Sequence, residues 1–236
     1  MQASHFEAAE GDETLDAETC GELADRLTHV RWIAGGTGAG KSTLARILAD
    51  QYDVAVYDGD RAEHGWLARC TPQRHPRLAA MRGAPPGEMW RGRTSRQLFQ
   101  TMASLHGETV GFIADDLLAM PSDRVIVVDY FGILPGHLGP LLRQRDQAVF
   151  LLPTPRFRRE ALAARYADPV RARANWGSND LESTLAKRLG RDALWDEEVR
   201  RQADDHGLDV VTIDGGAPVA DLAGQVAARF ALVPRA

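Results

Sequence analysis

Residues 35–42 read GGTGAGKS, which sets glycines at 35, 36, 38 and 40 ahead of Lys41 and Ser42. The spacing satisfies G-x-x-x-x-G-K-[ST] at every fixed position, with an apolar run before it and an amphipathic stretch after it. Glycines let a backbone turn until successive N–H groups converge, and the start of a helix adds the positive end of its dipole at the same point. Such a loop suits phosphate oxygens. The expected cradle is Gly36, Thr37, Gly38, Ala39, Gly40, Lys41, Ser42 and Thr43. There the Lys41 ammonium would bridge two phosphate groups and the Ser42 hydroxyl would ligate Mg2+. A plain glycine-rich turn explains the glycines but not a lysine followed by two hydroxyl residues.

Two further acid-bearing segments carry potential chemistry. The stretch VAVYDGDRAEHGWL ends an apolar run on Asp58 and Asp60, either of which could orient an acceptor hydroxyl or take its proton, or hold Mg2+ through water. Asp-Gly-Asp is also good turn chemistry, so a turn is the competing reading. VIVVD ends on Asp129, four apolar residues and then a carboxylate, the pattern that places an acid beside Mg2+ in phosphoryl transfer. A third segment, MWRGRTSRQ, gathers Arg91, Arg93 and Arg96 beside Trp90. Planar guanidinium groups suit bidentate recognition of carboxylate or phosphate, which makes these three the candidate acceptor-binding arginines, against the alternative of a solvated helix face.

These residues need elements to position them. Five short β-type runs, at 30–34, 54–58, 125–129, 148–152 and 209–214, alternate with helical stretches such as KSTLARILAD and TSRQLFQTMASL. Continuous apolar strands separated by helices predict a parallel sheet buried on both faces, an α/β fold. Ligands in such sheets lie beyond the carboxyl ends of the strands, where the loop at 35–42, Asp58, Asp60 and Asp129 all fall. A short helix from Leu15, with Asp16 as its N-cap, is expected to lead into the first strand, after a frayed acidic tail over residues 1–14. The intervals of about 65 residues before the third run and about 55 before the fifth exceed what one crossover needs. They predict inserted helices, one set over about 61–124 for substrate and one over about 156–180, within a single domain spanning 15–236.

GGTGAGKSTLA followed by YDGDRAEHG resembles adenylylsulfate kinase, and gluconate and shikimate kinases carry related acids at the same strand end. Over its whole length the chain looks more like a group of bacterial P-loop kinase-like proteins, through RWIAGGTGAGKST, a W-x-x-R-[ST] segment and LLPTP-x-FRR. The resemblance implies a P-loop NTPase fold, a five-stranded parallel sheet flanked by helices and arranged like a nucleoside-monophosphate kinase, with ATP and Mg2+ as cofactors. In such kinases the segment after the fourth strand is a mobile lid whose arginines close over the transferring group. Here that segment carries Arg156, Arg158, Arg159, Arg165, Arg171 and Arg173, of which Arg165 and Arg171 are the candidate catalytic pair. The TIDGG loop at 212–216 would flank the adenine. No later segment matches the adenylylsulfate-binding part of adenylylsulfate kinase.

Composition narrows the remaining classes. Eight of the 33 acids fall in residues 1–25, which hold no Lys or Arg, so the rest of the chain carries 25 acids against 28 bases. That slight excess is far below a nucleic-acid footprint, and no apolar run is long enough to span a bilayer. No zinc-ligand spacing joins the histidines or the two cysteines. The expected partners are a nucleotide and a small-molecule acceptor, in a cytoplasmic monomer or homodimer that binds neither nucleic acid nor membrane. The leading functional reading is an ATP-dependent kinase with Lys41, Asp58, Asp60, Arg165 and Arg171 in the catalytic set. The alternatives are a P-loop ATPase or switch that acts through a protein partner, and a nucleotide-binding protein without turnover. The chain has no N-K-x-D segment for guanine.

Overall fold

The computed structural model describes residues 17–235. The acidic tail over 1–14 and the expected helix start at Leu15 and Asp16 lie outside the described residues. In chain order the elements are α1 (Ala17–Arg26), β1 (Val30–Gly35), α2 (Lys41–Gln51), β2 (Val54–Asp58), α3 (Gly59–Arg69), α4 (Pro76–Met81), α5 (Ser95–Gln100), α6 (Val110–Leu118), β3 (Val125–Asp129), α7 (Pro135–Leu138), β4 (Ala148–Pro153), α8 (Pro155–Tyr166), α9 (Pro169–Trp176), α10 (Leu181–His206), β5 (Val210–Ile213) and α11 (Val219–Arg229). The strands occupy the five predicted runs to within one residue at most ends.

All five strands are parallel, in the order β2-β3-β1-β4-β5. The chain is of the α/β class, an all-parallel five-stranded sheet flanked by helices. The connection after β1 leads toward β2 and that after β4 leads the opposite way to β5, so the loop after β1 opens at a topological switch point. Alternation along β1 divides the core. Val30, Trp32 and Ala34 pack with Leu27, Phe150, Trp195 and Val199 on one face, whereas Ile33 packs with Leu44, Leu48, Val226 and Phe230 on the other. β3 is shared in the same way, with Ile126 and Val128 on the first face and Val127 on the second. A third cluster, Trp90, Leu98, Leu162, Tyr166 and Trp176, joins the first insertion to α8 and α9. Among the described residues no helix is long and apolar enough to cross a membrane.

The stretch TSRQLFQTMASL does not form one helix. α5 ends at Gln100, and a 3-10 turn follows over Ala103–His106. The Thr101 hydroxyl donates back to the Gln97 carbonyl at 2.9 Å and Met102 is extended, so the chain turns before the periodicity runs out.

Candidate functional site

The phosphate loop takes its shape from three glycines with positive φ: Gly35 (110°), Gly38 (81°) and Gly40 (83°), the last serving as the N-cap of α2. Gly35 is further required because a Cβ there would lie 2.3 Å from the Leu151 carbonyl oxygen of β4. Next to it, the Gly36 N–H donates to the Leu151 carbonyl at 2.8 Å, which fastens the loop to the neighbouring strand.

Lys41, the first residue of α2, is buried, and its Nζ donates to the Gly36 carbonyl at 2.8 Å. Burial lowers its pKa, opposed by the carboxylates of Asp129 and Asp60 and reinforced by Arg165 and Arg158. Asp129 closes β3 and is buried. Burial raises its carboxyl above the ordinary value, while the Ser42 hydroxyl and the Lys41 ammonium favour its charged form. Lys41 and Ser42 at the start of α2 therefore lie beside Asp129 at the end of β3.

Sheet register brings in the second acidic segment, because Asp58 lies opposite Asp129 across β2 and β3. Asp58 acts as the N-cap of α3, its Oδ1 accepting from the Arg61 N–H at 3.0 Å, so the turn reading and the strand-end reading both describe this residue. Asp60 is in the first turn of α3 and opens to solvent. Its outer edge meets water, yet desolvation by the neighbouring residues raises its pKa, opposed first by Lys41, assisted by Asp58, and opposed again by Arg165 and Arg188. One turn further, Glu63 is half-buried and pushed up to about 7 by desolvation and by the Asp60 charge. Gly59 between the two aspartates is buried against Tyr130, whose ring a Cβ would meet at 2.4 Å. That glycine lets the first turn of α3 seat directly on the end of β3.

The predicted arginines separate into distinct groups. Arg165 is exposed on α8 and its charge reaches both Lys41 and Asp60. Arg171 is exposed on α9, and its carbonyl accepts from Asn175. Arg91 pairs with Glu88 at 3.0 Å on the surface, and Arg93 and Arg96 are also exposed. No hydrogen bond or ion pair joins Arg91, Arg93, Arg96 or Arg171 to Lys41, Asp58, Asp60 or Asp129 among the described residues. The buried residue of MWRGRTSRQ is Trp90, held in the third cluster.

Other charged groups stand closer to the loop. Arg158 is buried in the first turn of α8, where its Nε donates to the Thr37 carbonyl at 3.1 Å and its Nη2 to Asp196 of α10 at 2.5 Å. Arg191 is buried, pairs with Asp192 at 2.6 Å and lies over the rings of Trp90 and Phe131. Arg188 donates to the Tyr166 hydroxyl at 2.7 Å. Burial alone would raise Asp192, but Arg191, Arg188 and Arg158 together hold it below the ordinary carboxylate range. Residues 188, 191, 192, 195, 196 and 199 fall on one face of α10, with charges interleaved between Trp195 and Val199. Spacing of three and four was the available signal, hidden because charged residues at those intervals usually face water.

The loop could hold the phosphates of a nucleotide, and Ser42 with Asp129 could hold a divalent cation that the nucleotide also ligates, although no cluster of three or more His, Cys, Asp or Glu side chains suited to a metal occurs among the described residues. Gly36, Gly38 and Gly40 leave the loop without side chains at those positions, and Lys41 and Ser42 meet Asp129 at its mouth. Beyond the loop, the TIDGG segment approaches α8, where a Cβ at Gly215 would lie 2.8 Å from the Phe157 ring.

No protein-family model matches the chain, and no curated protein matches it. Among solved structures it is similar to the Deinococcus radiodurans tunicamycin resistance protein, with 15% sequence identity over 89% of this chain and 99% of that chain and a TM-score of 0.43.

Proposed function

We propose that the protein is an ATP-dependent kinase that moves the γ-phosphoryl group to a hydroxyl or phosphate of a small molecule. The observation that carries the reading is the convergence of Lys41, Ser42 and Asp129 at the mouth of a glycine-shaped loop, with Asp60 facing the same point. When bound, ATP would lay its phosphates along the Gly36–Thr43 backbone and supply the transferable group, and Mg2+ at Ser42 and Asp129 would supply positive charge where negative charge gathers.

The chain's own residues account for the rest. Lys41, whose Nζ donates to the Gly36 carbonyl, would hold the phosphate oxygens of a bound nucleotide. Asp60 orients the acceptor hydroxyl and accepts its proton, and the nearby Glu63, pushed up to about 7, makes Asp60 a stronger base once Glu63 is ionised. Arg165 adds charge from the α8 side, its electrostatic influence reaching both Lys41 and Asp60. Little covalent assistance is needed, because phosphoryl transfer is catalysed mainly by positioning and electrostatics.

Incubation with ATP, Mg2+ and a panel of metabolites, read by mass spectrometry for a gain of phosphate, tests the reading. Transfer abolished by Lys41→Ala supports it. Full transfer by that variant would rule it out. Hydrolysis without any phosphorylated product, quickened by a protein partner, would favour the ATPase or switch alternative.

A further inference from the structure

Arg158 differs from the other five arginines of residues 156–173 by being buried and held at both Nε and Nη2. One edge of its guanidinium group holds the Thr37 carbonyl of the phosphate loop, and another holds Asp196 in the middle of α10. A peptide unit is planar, with its carbonyl and the following N–H pointing in opposite directions. Fixing the Thr37 carbonyl toward Arg158 therefore fixes the Gly38 N–H away from it, and the direction of that N–H decides whether the loop can donate to a phosphate oxygen.

Gly36 supplies an independent constraint. A Cβ at that position would stand 2.5 Å from Arg158 Nη2, 2.7 Å from the Pro153 ring and 2.8 Å from Asp196 Oδ1. The second glycine of GGTG is thus needed for the ion pair to reach the loop, in addition to any approach by phosphate. Asp196 Oδ1 is buried and has no hydrogen-bond partner among the described residues. A carboxylate kept there at the expense of desolvation is poor stabilisation, since buried ion pairs are often matched by apolar substitutes of similar volume.

We propose that Arg158 and Asp196 are positioning residues that set the phosphate loop for nucleotide, so that nucleotide affinity is governed from α10. The proposal rests on the reading of the loop as a nucleotide site. It also gives the affinity a pH dependence. Asp196 is pushed up to about 6 by burial, opposed by Arg158 and by Arg200, with Asp192 adding to the rise. Above that pH the ionised carboxylate holds Arg158; as pH falls through it, the carboxyl protonates, the grip loosens and nucleotide affinity falls. Fold stability moves oppositely. For an acid raised by folding, the contribution to stability is present below the unfolded value and is lost as pH rises through the folded one.

The test is the affinity for ADP with Mg2+, measured by titration calorimetry alongside thermal melting. Arg158→Met should weaken ADP by about tenfold or more, the usual worth of hydrogen bonds to a charged group, and Arg158→Lys should recover part of the loss. The double variant Arg158→Met with Asp196→Leu should regain the melting temperature without regaining ADP affinity. The wild-type protein should lose affinity below about pH 6, more steeply than Asp196→Asn, in which no carboxyl titrates. Wild-type affinity in Arg158→Met or in the double variant, or equal pH profiles for wild type and Asp196→Asn, would overturn the proposal. Undiminished ADP binding by Lys41→Ala would instead count against the nucleotide reading itself.

Discussion

The two sides of the candidate site are built differently. On the phosphate side, groups are fixed before any ligand arrives: Lys41 on the Gly36 carbonyl, Gly36 on Leu151, and Arg158 between Thr37 and Asp196. On the acceptor side, the Asp60 and Glu63 carboxylates take no hydrogen bond from the protein among the described residues, and Arg91, Arg93 and Arg96 face solvent. Phosphate geometry is the same for every acceptor and rewards a rigid cradle. On the proposed reading, recognition of the acceptor would fall to polar groups that gain partners when it binds. The support beneath that side is nevertheless firm. Asp116 of α6 accepts from the Tyr57 hydroxyl, Trp66 Nε1 and Arg69, and so ties α3 to β2 and α6 below the acceptor face.

The sharpest way to break this contrast is Lys41→Ala, for which phosphoryl transfer should fall about a thousandfold, measured as ADP formation, because a preorganised cation at the site of developing charge is lost. Asp60→Asn should cost roughly a hundredfold in kcat, in the range for a general base, with a smaller change in ADP affinity. A loss confined to ADP affinity would place Asp60 on the phosphate side instead. Activity in the wild-type protein should decline as pH falls below about 7, where Glu63 takes up its proton, and Glu63→Gln should flatten that limb of the pH profile.

Asp116→Ala should cost about 1–3 kcal/mol of stability in denaturant unfolding, since it strands the indole N–H of buried Trp66 and the half-buried Tyr57 hydroxyl. ADP affinity should stay near wild type if the two sides are separable. The smallest effect is expected of Arg91→Ala, under about twofold in any rate or affinity, as for an exposed ion pair. A large loss of acceptor affinity there would restore Arg91 to the acceptor site.

Strands and loop were legible in the sequence because their physics is local. A strand covered on both faces must be apolar throughout, and GGTGAGKS states its backbone demands through glycine spacing. Asp58 and Asp129 were legible as strand ends, and the sheet register then set them side by side. Arg158 was legible only as one of six arginines after the fourth strand, with Arg165 and Arg171 preferred. Arg191, Asp192 and Asp196 were not legible, because a charge on a helix ordinarily reads as a solvated face and its burial depends on what α8 and α10 meet in three dimensions. Asp116 was hidden for a related reason, as its donors lie 47 to 59 residues away in sequence. Arg91, Arg93 and Arg96 drew attention through number and type, which do not report direction, whereas Trp90 in the same segment is the residue that the fold buries.

The central claim, transfer of a phosphoryl group to a small molecule, is tested most directly by following the label from γ-labelled ATP in a protein-free metabolite extract, with and without the protein. The account predicts that label moves into an organic phosphate ester or anhydride in the presence of the wild-type chain and not of Lys41→Ala. Label found solely as inorganic phosphate, or retained in ATP, would contradict it.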